Sequence, residues 1–478
     1  MFRTHFDLMD GWIMHNVPAI TDSSTVASGN GHSYPYLEGL RFLSEAQARE
    51  IRDRFGTPVF VYHEPSLRRQ ASYMLSFPHA FGLIIRYSIK ACPSGAIIKL
   101  LNELGLYFDA SSSWEARRAL IAGVPPGKIL VTAQEFGPDL EAVLSQGVEF
   151  DACSLRQLDW FGARFPGSRV SLRINPGFGS GMVRRLTSGG SDSSFGLWHE
   201  QLDEAFLVTQ KHKLHIVRIH EHIGSGHDSQ VWLDTAAHLL SRINEFPEVE
   251  SLNLGGGYQI KGLSTEVPPD HYEFGKLLKS KIQDVAERTG KKIKVELEPG
   301  TFLTANSGAI VSSVVDVVKT GSKGRTFIKI DSGLTEIIRP SFYGSPHPMV
   351  SVPGVSSGQE SSNGAVAETR EYVVVGHCCI AGDALTITRG NPEILCPHRL
   401  RETKPGDILV IERSGGYCSS MALKNFNSFP EAPEVLLQSD GSMKLIRRRQ
   451  TLEQMIENET PETEESGGRL QTLASTLQ

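Results

Sequence analysis

Lys90 closes a largely apolar run, and further along the chain come His220 and His222, the run Gly255-Gly256-Gly257, and Glu298. A lysine at the end of an apolar strand carries a heavy desolvation cost unless it is paired, lowered in pKa or used covalently. An imine with a carbonyl compound is the chemistry this suggests. Consecutive glycines after a strand allow close backbone approach with free N–H groups, which suits a phosphate. The run lacks the G-x-G-x-x-G spacing of a dinucleotide fold. Asp109, Ser154, Arg173 and Asn175 also end apolar runs. Taken singly, these residues have ordinary explanations: a strand-terminal acid usually caps a helix, and a glycine run usually makes a turn. Their convergence on one place is what would make a site.

The elements around them supply that convergence. Between about 82 and 300, β-rich runs at 83–90, 106–110, 129–133, 149–154, 169–175, 216–223, 251–254 and 292–298 alternate with stretches of helical period, including 94–104, 113–122, 138–146, 231–246 and 272–289. This is the pattern of parallel strands joined by crossover helices. Eight such strands in roughly two hundred residues predict an α/β fold of the (β/α)8 TIM-like barrel kind, with a doubly wound open sheet as the alternative. The active face of a barrel is built from C-terminal strand ends, and the residues named above all fall there.

After Pro299 the helical period disappears, and strand-like runs at 326–330, 371–375, 384–388, 407–412 and 434–438 predict a C-terminal β-rich domain, to which 59–62 adds a strand. The expected organisation is an N-terminal extension (1–55), the barrel (56–305), the β-rich domain (306–440) and a tail (441–478). Residues 352–369 and the tail beyond about 458 read as disordered by composition. Arg447-Arg448-Arg449 reads as the solvated face of a tail helix.

With 40% hydrophobic and 21% charged residues in 478, the chain is long and apolar enough for a large core, and its net charge of −6 gives no basic footprint for nucleic acid. Its six cysteines lack CxxC spacing, so no metal site or disulfide framework is expected and a reducing, cytoplasmic setting is. Asp7 and Asp10 interrupt any early apolar run, and no stretch approaches the roughly 18 apolar residues of a membrane span. No membrane association is expected.

Several motifs resemble one family. They are Tyr87-Ser88-Ile89-Lys90-Ala91, His220-Glu221-His222-Ile223-Gly224-Ser225, Leu254-Gly255-Gly256-Gly257, Glu298-Pro299-Gly300, Ile338-Arg339-Pro340 with Tyr343, and Gly415-Gly416-Tyr417. They resemble the fold type III pyridoxal 5′-phosphate (PLP) decarboxylases of ornithine, lysine, arginine and diaminopimelate, most of all the diaminopimelate branch, and the resemblance runs from Gly56 to Glu434. The resemblance implies that Lys90 carries PLP as a Schiff base, His222 stacks on its ring and Glu298 pairs with the pyridine nitrogen. Ser225, Gly255, Gly256, Gly257 and Tyr417 would hold the phosphate, with Asp109 and Arg173 in support. Arg339 and Tyr343 resemble substrate-carboxylate contacts. Cys379 aligns with a cysteine that, in the family, reaches the partner's site across a dimer and reprotonates the substrate carbon, which implies a homodimer with composite sites. The chemistry suits the parts, because loss of CO2 leaves a carbanion that a protonated ring can absorb.

Two positions depart from the family. Its acid after that cysteine is Ile380 here, and its arginine after Glu-Pro-Gly is Thr301. An apolar side chain cannot compensate a buried ammonium, so the main expectation is an amino-acid decarboxylase with an altered substrate pocket around Ile380. The alternatives are a genuine meso-diaminopimelate decarboxylase making L-lysine, a PLP racemase on the same barrel, or a catalytically silent homologue.

Overall fold

The structure is a computed structural model that describes residues 33–225, 229–355 and 368–460. The strands in the first part of the chain are β1 (Val59–His63), β2 (Leu83–Ser88), β3 (Tyr107–Ala110), β4 (Ile129–Val131), β5 (Glu149–Ala152), β6 (Arg169–Asn175), a two-residue β7 (Leu197–Trp198), β8 (His215–His220), β9 (Ser251–Asn253) and β10 (Lys294–Leu297). From β2 onward, all but β7 close a parallel barrel of eight strands in the order β5-β4-β3-β2-β10-β9-β8-β6, with β5 pairing back to β6.

Barrel strands are packed on both sides, which explains their mixed composition. In β6, Val170, Leu172 and Ile174 alternate with Ser171, Arg173 and Asn175, and all six are buried. The polar set faces the lumen. At one level of the lumen, Glu296 bridges Arg86 (2.6 Å) and Arg218 (2.7 Å), while Glu149 meets the same two arginines at 2.7 and 2.9 Å. Burial alone would raise the Glu296 carboxyl, but Arg86 and Arg218 hold it down at about 2. This network plugs the lumen two residues before the strand ends that form the site, roughly 7 Å along the strand.

Helices Gly95–Glu103, Ser113–Ile121, Leu140–Leu144, Ser229–Ser241 and His271–Thr289 match the periodic stretches, and Leu155–Arg164 and Leu202–His212 add two more. Ser154 is the N-cap of the helix Leu155–Arg164 and accepts from Gln157 N, so this strand-end residue serves a helix.

The second sheet comprises β11 (Gly308–Lys319), β12 (Thr326–Ile330), β13 (Met349–Val352), β14 (Thr369–Val375), β17 (His398–Arg401), β18 (Ile408–Ile411), β19 (Glu434–Leu437) and β20 (Met443–Arg447), together with β1; β15 (Ile387–Thr388) and β16 (Asn391–Leu395) form a separate hairpin. The twelve-residue β11 is its hub, pairing with β1, β12 and β18. Although β1 precedes the barrel, it hydrogen-bonds to β11 and β19, so the chain crosses into the barrel and returns. Its alternation divides two cores: Phe60 and Tyr62 join the large core shared with the barrel, while Val59 and Val61 pack with Ala48 and Ile51 of the helix Glu45–Phe55.

Two expectations are corrected. Arg447 ends β20, which pairs with β19, and Arg448 and Arg449 follow in irregular structure, so the basic run does not lie on a helix. Arg447 pairs with Glu431 and Glu434, and Arg449 donates to the Pro58 carbonyl, so neither is simply solvated. The expected strand at 384–388 is reduced to β15, joined to β14 by one bridge, Val375 to Ala384. Most of the compositionally biased stretch 352–369 and the tail from 461 lie outside the described residues, while Val352 and Thr369 belong to β13 and β14.

Candidate active site

β2 ends at Ser88, and Lys90 sits on the turn Ile89–Ala91 at the barrel mouth. Its Nζ lies 3.3 Å from Asp109 Oδ2 at the end of β3. The Asp109 carboxylate is 1% exposed, whereas the lysine side chain is 44% exposed and open to the mouth. Burial pulls the Lys90 pKa down, but Asp109, helped by Tyr417, Glu298 and Glu115, holds it above the ordinary lysine value. The free site therefore keeps an ammonium beside a carboxylate. Ser88, which carried no role in the sequence reading, has its hydroxyl within donating reach of the Glu298 backbone carbonyl (3.1 Å) and of Asp109 Oδ2 (3.3 Å), so β2 is tied to the strand ends that carry both acids.

Glu298 follows β10 and is buried. Asn253 Nδ2 donates to its Oε1 at 2.6 Å, and His220 Nε2 lies 3.6 Å from its Oε2. His220 Nδ1 is 2.7 Å from Asp151 Oδ2 at the end of β5. Burial and then the Asp109 charge raise the Glu298 carboxyl, against His220, Lys90 and Asn253. Burial would lower His220, but Glu298 and Asp151 raise it. Asn253 and Asp151 went unnoticed in the sequence, and His220 was noted only as a strand end.

Two residues past β8, His222 Nδ1 accepts from Gly256 N at 3.2 Å, which fixes the neutral ring with its proton on Nε2. Burial, Arg173, Lys90 and His220 all depress its pKa, so the ring stays neutral. Arg173 stacks its guanidinium over Phe195 at 4.9 Å. The glycines after β9 form a tight cradle. A Cβ on Gly255 would meet the His222 side chain at 2.6 Å, one on Gly256 the Glu298 carbonyl oxygen at 2.5 Å, and one on Gly257 the Gly224 carbonyl oxygen at 2.3 Å and Ser225 Cα at 3.3 Å. The backbone is packed here too closely for any side chain, and the N–H groups of Gly255 and Gly256 donate to Asn253 Oδ1 and His222 Nδ1.

The β-rich lobe supplies the opposite wall. Tyr417 has a φ of 58°, its N–H donates to the Ala91 carbonyl at 2.7 Å, and its Oη approaches Gly300 so closely that a Cβ there would lie 2.7 Å away. Arg339 Nε donates to Tyr343 Oη at 3.0 Å, and Arg339 Nη1 is buried without a partner. Lys90, Asp109, Arg173, His222, Ser225, Gly255–Gly257, Glu298 and Tyr417 thus come together, with Arg339 and Tyr343 beside Tyr417. Cys379 and Ile380 do not join them within one chain. Both lie exposed on the β-rich lobe, in a turn held by Asp383, which accepts from Cys378 N (2.8 Å) and Leu334 N (3.0 Å).

These groups fit PLP. A primary amine for its aldehyde, a glycine cradle closed to side chains for its phosphate, a buried carboxylate for its ring nitrogen and a partnerless Asp109 Oδ1 are all present. A barrel with such a mouth defines a PLP-dependent (β/α)8 enzyme. The description "Pyridoxal-dependent decarboxylase, pyridoxal binding domain" matches residues 67–305, and the chain belongs to that family. It is 36% identical to the diaminopimelate decarboxylase of Escherichia coli K12 over 409 residues, covering 84% of this chain and 93% of that one. It is 32% identical to that of Streptomyces coelicolor over 427 residues, covering 88% and 92%. A crystal structure of a diaminopimelate decarboxylase superposes with a TM-score of 0.80 at 34% identity, covering 88% of this chain and 98% of that one. The Helicobacter pylori enzyme complexed with L-lysine shares the fold, with a TM-score of 0.71 at 24% identity, covering 85% and 98%. The chain is a PLP-dependent amino-acid decarboxylase. Among the described residues, no helix is long and apolar enough to cross a membrane.

Proposed function

We propose that this chain decarboxylates meso-diaminopimelate to L-lysine. The observation that carries the reading is likeness through both lobes to diaminopimelate decarboxylases. The same likeness weighs against the altered pocket expected from Ile380, which is 51% exposed within a single chain.

In this reading Lys90 would bind PLP covalently, Gly255–Gly257, Ser225 and Tyr417 would hold its phosphate, His222 would stack on its ring, and Glu298 would face its ring nitrogen. When bound, PLP supplies an electron sink for the pair left by departing CO2. Glu298 holds a proton at the ring nitrogen, with His220 and Asn253 fixing its carboxylate. Neutral His222 offers a flat, uncharged face. Asp109 governs the charge on Lys90, and Arg339 with Tyr343 orients the substrate carboxylate.

Cys379 would return a proton to the substrate carbon from the partner subunit of a homodimer. Its exposure, next to exposed Ile380, supports that placement. The test is CO2 release from meso-diaminopimelate with L-lysine as product, measured against ornithine, arginine and lysine. Turnover dominated by another of these amino acids overturns the reading, and racemisation without CO2 release replaces it.

A further inference from the structure

Two residues past β18, Arg413 is 4% exposed yet makes no hydrogen bond or ion pair with any described residue. Its backbone φ of 63° is one that a non-glycine residue adopts only where the surroundings hold it. The guanidinium lies against the loop that follows the glycine cradle, where a Cβ on Gly262 would meet Arg413 Nη1 at 2.8 Å. The acid of that loop is already committed: Glu266 pairs with Arg389 at 3.0 Å and accepts from Gly262 N at 2.6 Å. Arg41 is spent on Asn306 and on the Lys261 and Gly262 carbonyls. Burial first and then the Arg339 charge lower Arg413 to about 10, with Arg389 and Arg41 adding to the fall and the Glu266 carboxylate, already paired to Arg389, only partly opposing it. A buried cation among cations is costly unless an anion joins it.

Arg339 shows the same want from the other side, with Nη1 buried and unpartnered. Four residues after Arg413, Tyr417 reaches the barrel mouth. We propose that Arg413 and Arg339 together clamp the carboxylate that the substrate keeps, with Arg413 supplying the cation absent at Thr301. In naming that carboxylate as the one meso-diaminopimelate retains, the assignment rests on the function proposed above; the clamp itself requires only a substrate with a second carboxylate.

The experiment titrates PLP-loaded enzyme with glutarate, an amine-free dicarboxylate, by calorimetry, alongside kinetics on meso-diaminopimelate. Arg413→Gln is expected to weaken glutarate about tenfold or more and to raise KM while changing kcat less than about twofold. Its thermal midpoint should be no lower than that of the parent, because the removed charge had no partner. Arg413→Lys should lose less, and it carries the test should the glutamine variant not fold. Absence of glutarate binding to the parent enzyme, or parental affinity in the variant that folds, overturns the clamp. Weakened glutarate binding in an enzyme that does not turn over meso-diaminopimelate keeps the clamp and rejects that substrate.

Discussion

His220 Nε2 lies 3.6 Å from Glu298 Oε2, and the opposite ring nitrogen is held 2.7 Å from Asp151 Oδ2, so one imidazole stands between two buried carboxylates. The acid that would face the cofactor nitrogen is therefore backed by a charge relay running across the lumen from β5 through β8 to β10. Because both carboxylates raise the His220 pKa above its unfolded value, protonated His220 contributes stability that is fully present below about pH 6.5 and is lost as pH rises through the folded value. Asp151→Asn should cost about 3–5 kcal/mol at pH 6, the range for breaking a buried pair, and clearly less at pH 9. Thermal midpoints of both proteins across that range check the sign; a gap that widens with pH would contradict it.

Glu298→Gln removes the carboxylate and keeps the Asn253 contact geometry within reach. A carboxylate 4 Å from a cation is worth about 4 kcal/mol at an effective dielectric of 20, equivalent to roughly a thousandfold in rate. Turnover should fall by about 10²–10³, while PLP affinity changes by less than about tenfold. Absorbance titration of the cofactor and single-substrate kinetics read the two effects separately, and equal losses would contradict a role at the ring nitrogen.

Gly256→Ala would place a methyl group 2.5 Å from the Glu298 carbonyl oxygen, a backbone atom that cannot swing aside. Overpacking of this kind costs about 1–3 kcal/mol. The PLP dissociation constant should rise roughly tenfold to a hundredfold. Gly95→Ala, at the start of a helix with nothing within 4 Å of the added carbon, serves as the control and should leave it unchanged.

Much of this site was legible because barrel strands write their lumen face with a period of two. Arg86, Ser88 and Lys90 are spaced by two, as are Arg218, His220 and His222, and Glu296 with Glu298. Reading only the last polar residue of each strand found Lys90 and Glu298 but passed over Ser88, Asp151 and Asn253, whose roles show only when neighbouring strands are brought into register. The same habit promoted Ser154, a helix cap. The β-rich lobe was harder to read. β11 carries the run Val314 to Lys319, partly exposed and broken by a register shift against β12, and two of its three partners, β1 and β18, lie nearly a hundred residues away or more. Arg413 could not be singled out at all, since only the structure shows a buried guanidinium whose neighbouring acid, Glu266, is paired to Arg389 instead.

Cys379 tests the proposed assembly. In one chain it is exposed, its N–H donates to Asn427 Oδ1 at 2.8 Å, and it takes no part in the Lys90 cluster. If it acts in the partner's site, Lys90→Ala and Cys379→Ala subunits are each inactive as pure dimers, but a mixed dimer rebuilds one complete site from the two unmutated residues. Random reassortment of equal amounts makes half the dimers mixed, each with one working site of two, so about a quarter of the parental activity should return. Mixing the variants under conditions that exchange subunits and following CO2 release gives the number. Recovery that stays at the level of either variant alone would place the proton donor elsewhere, and Cys379→Ala with parental turnover would remove the cysteine from the reaction altogether.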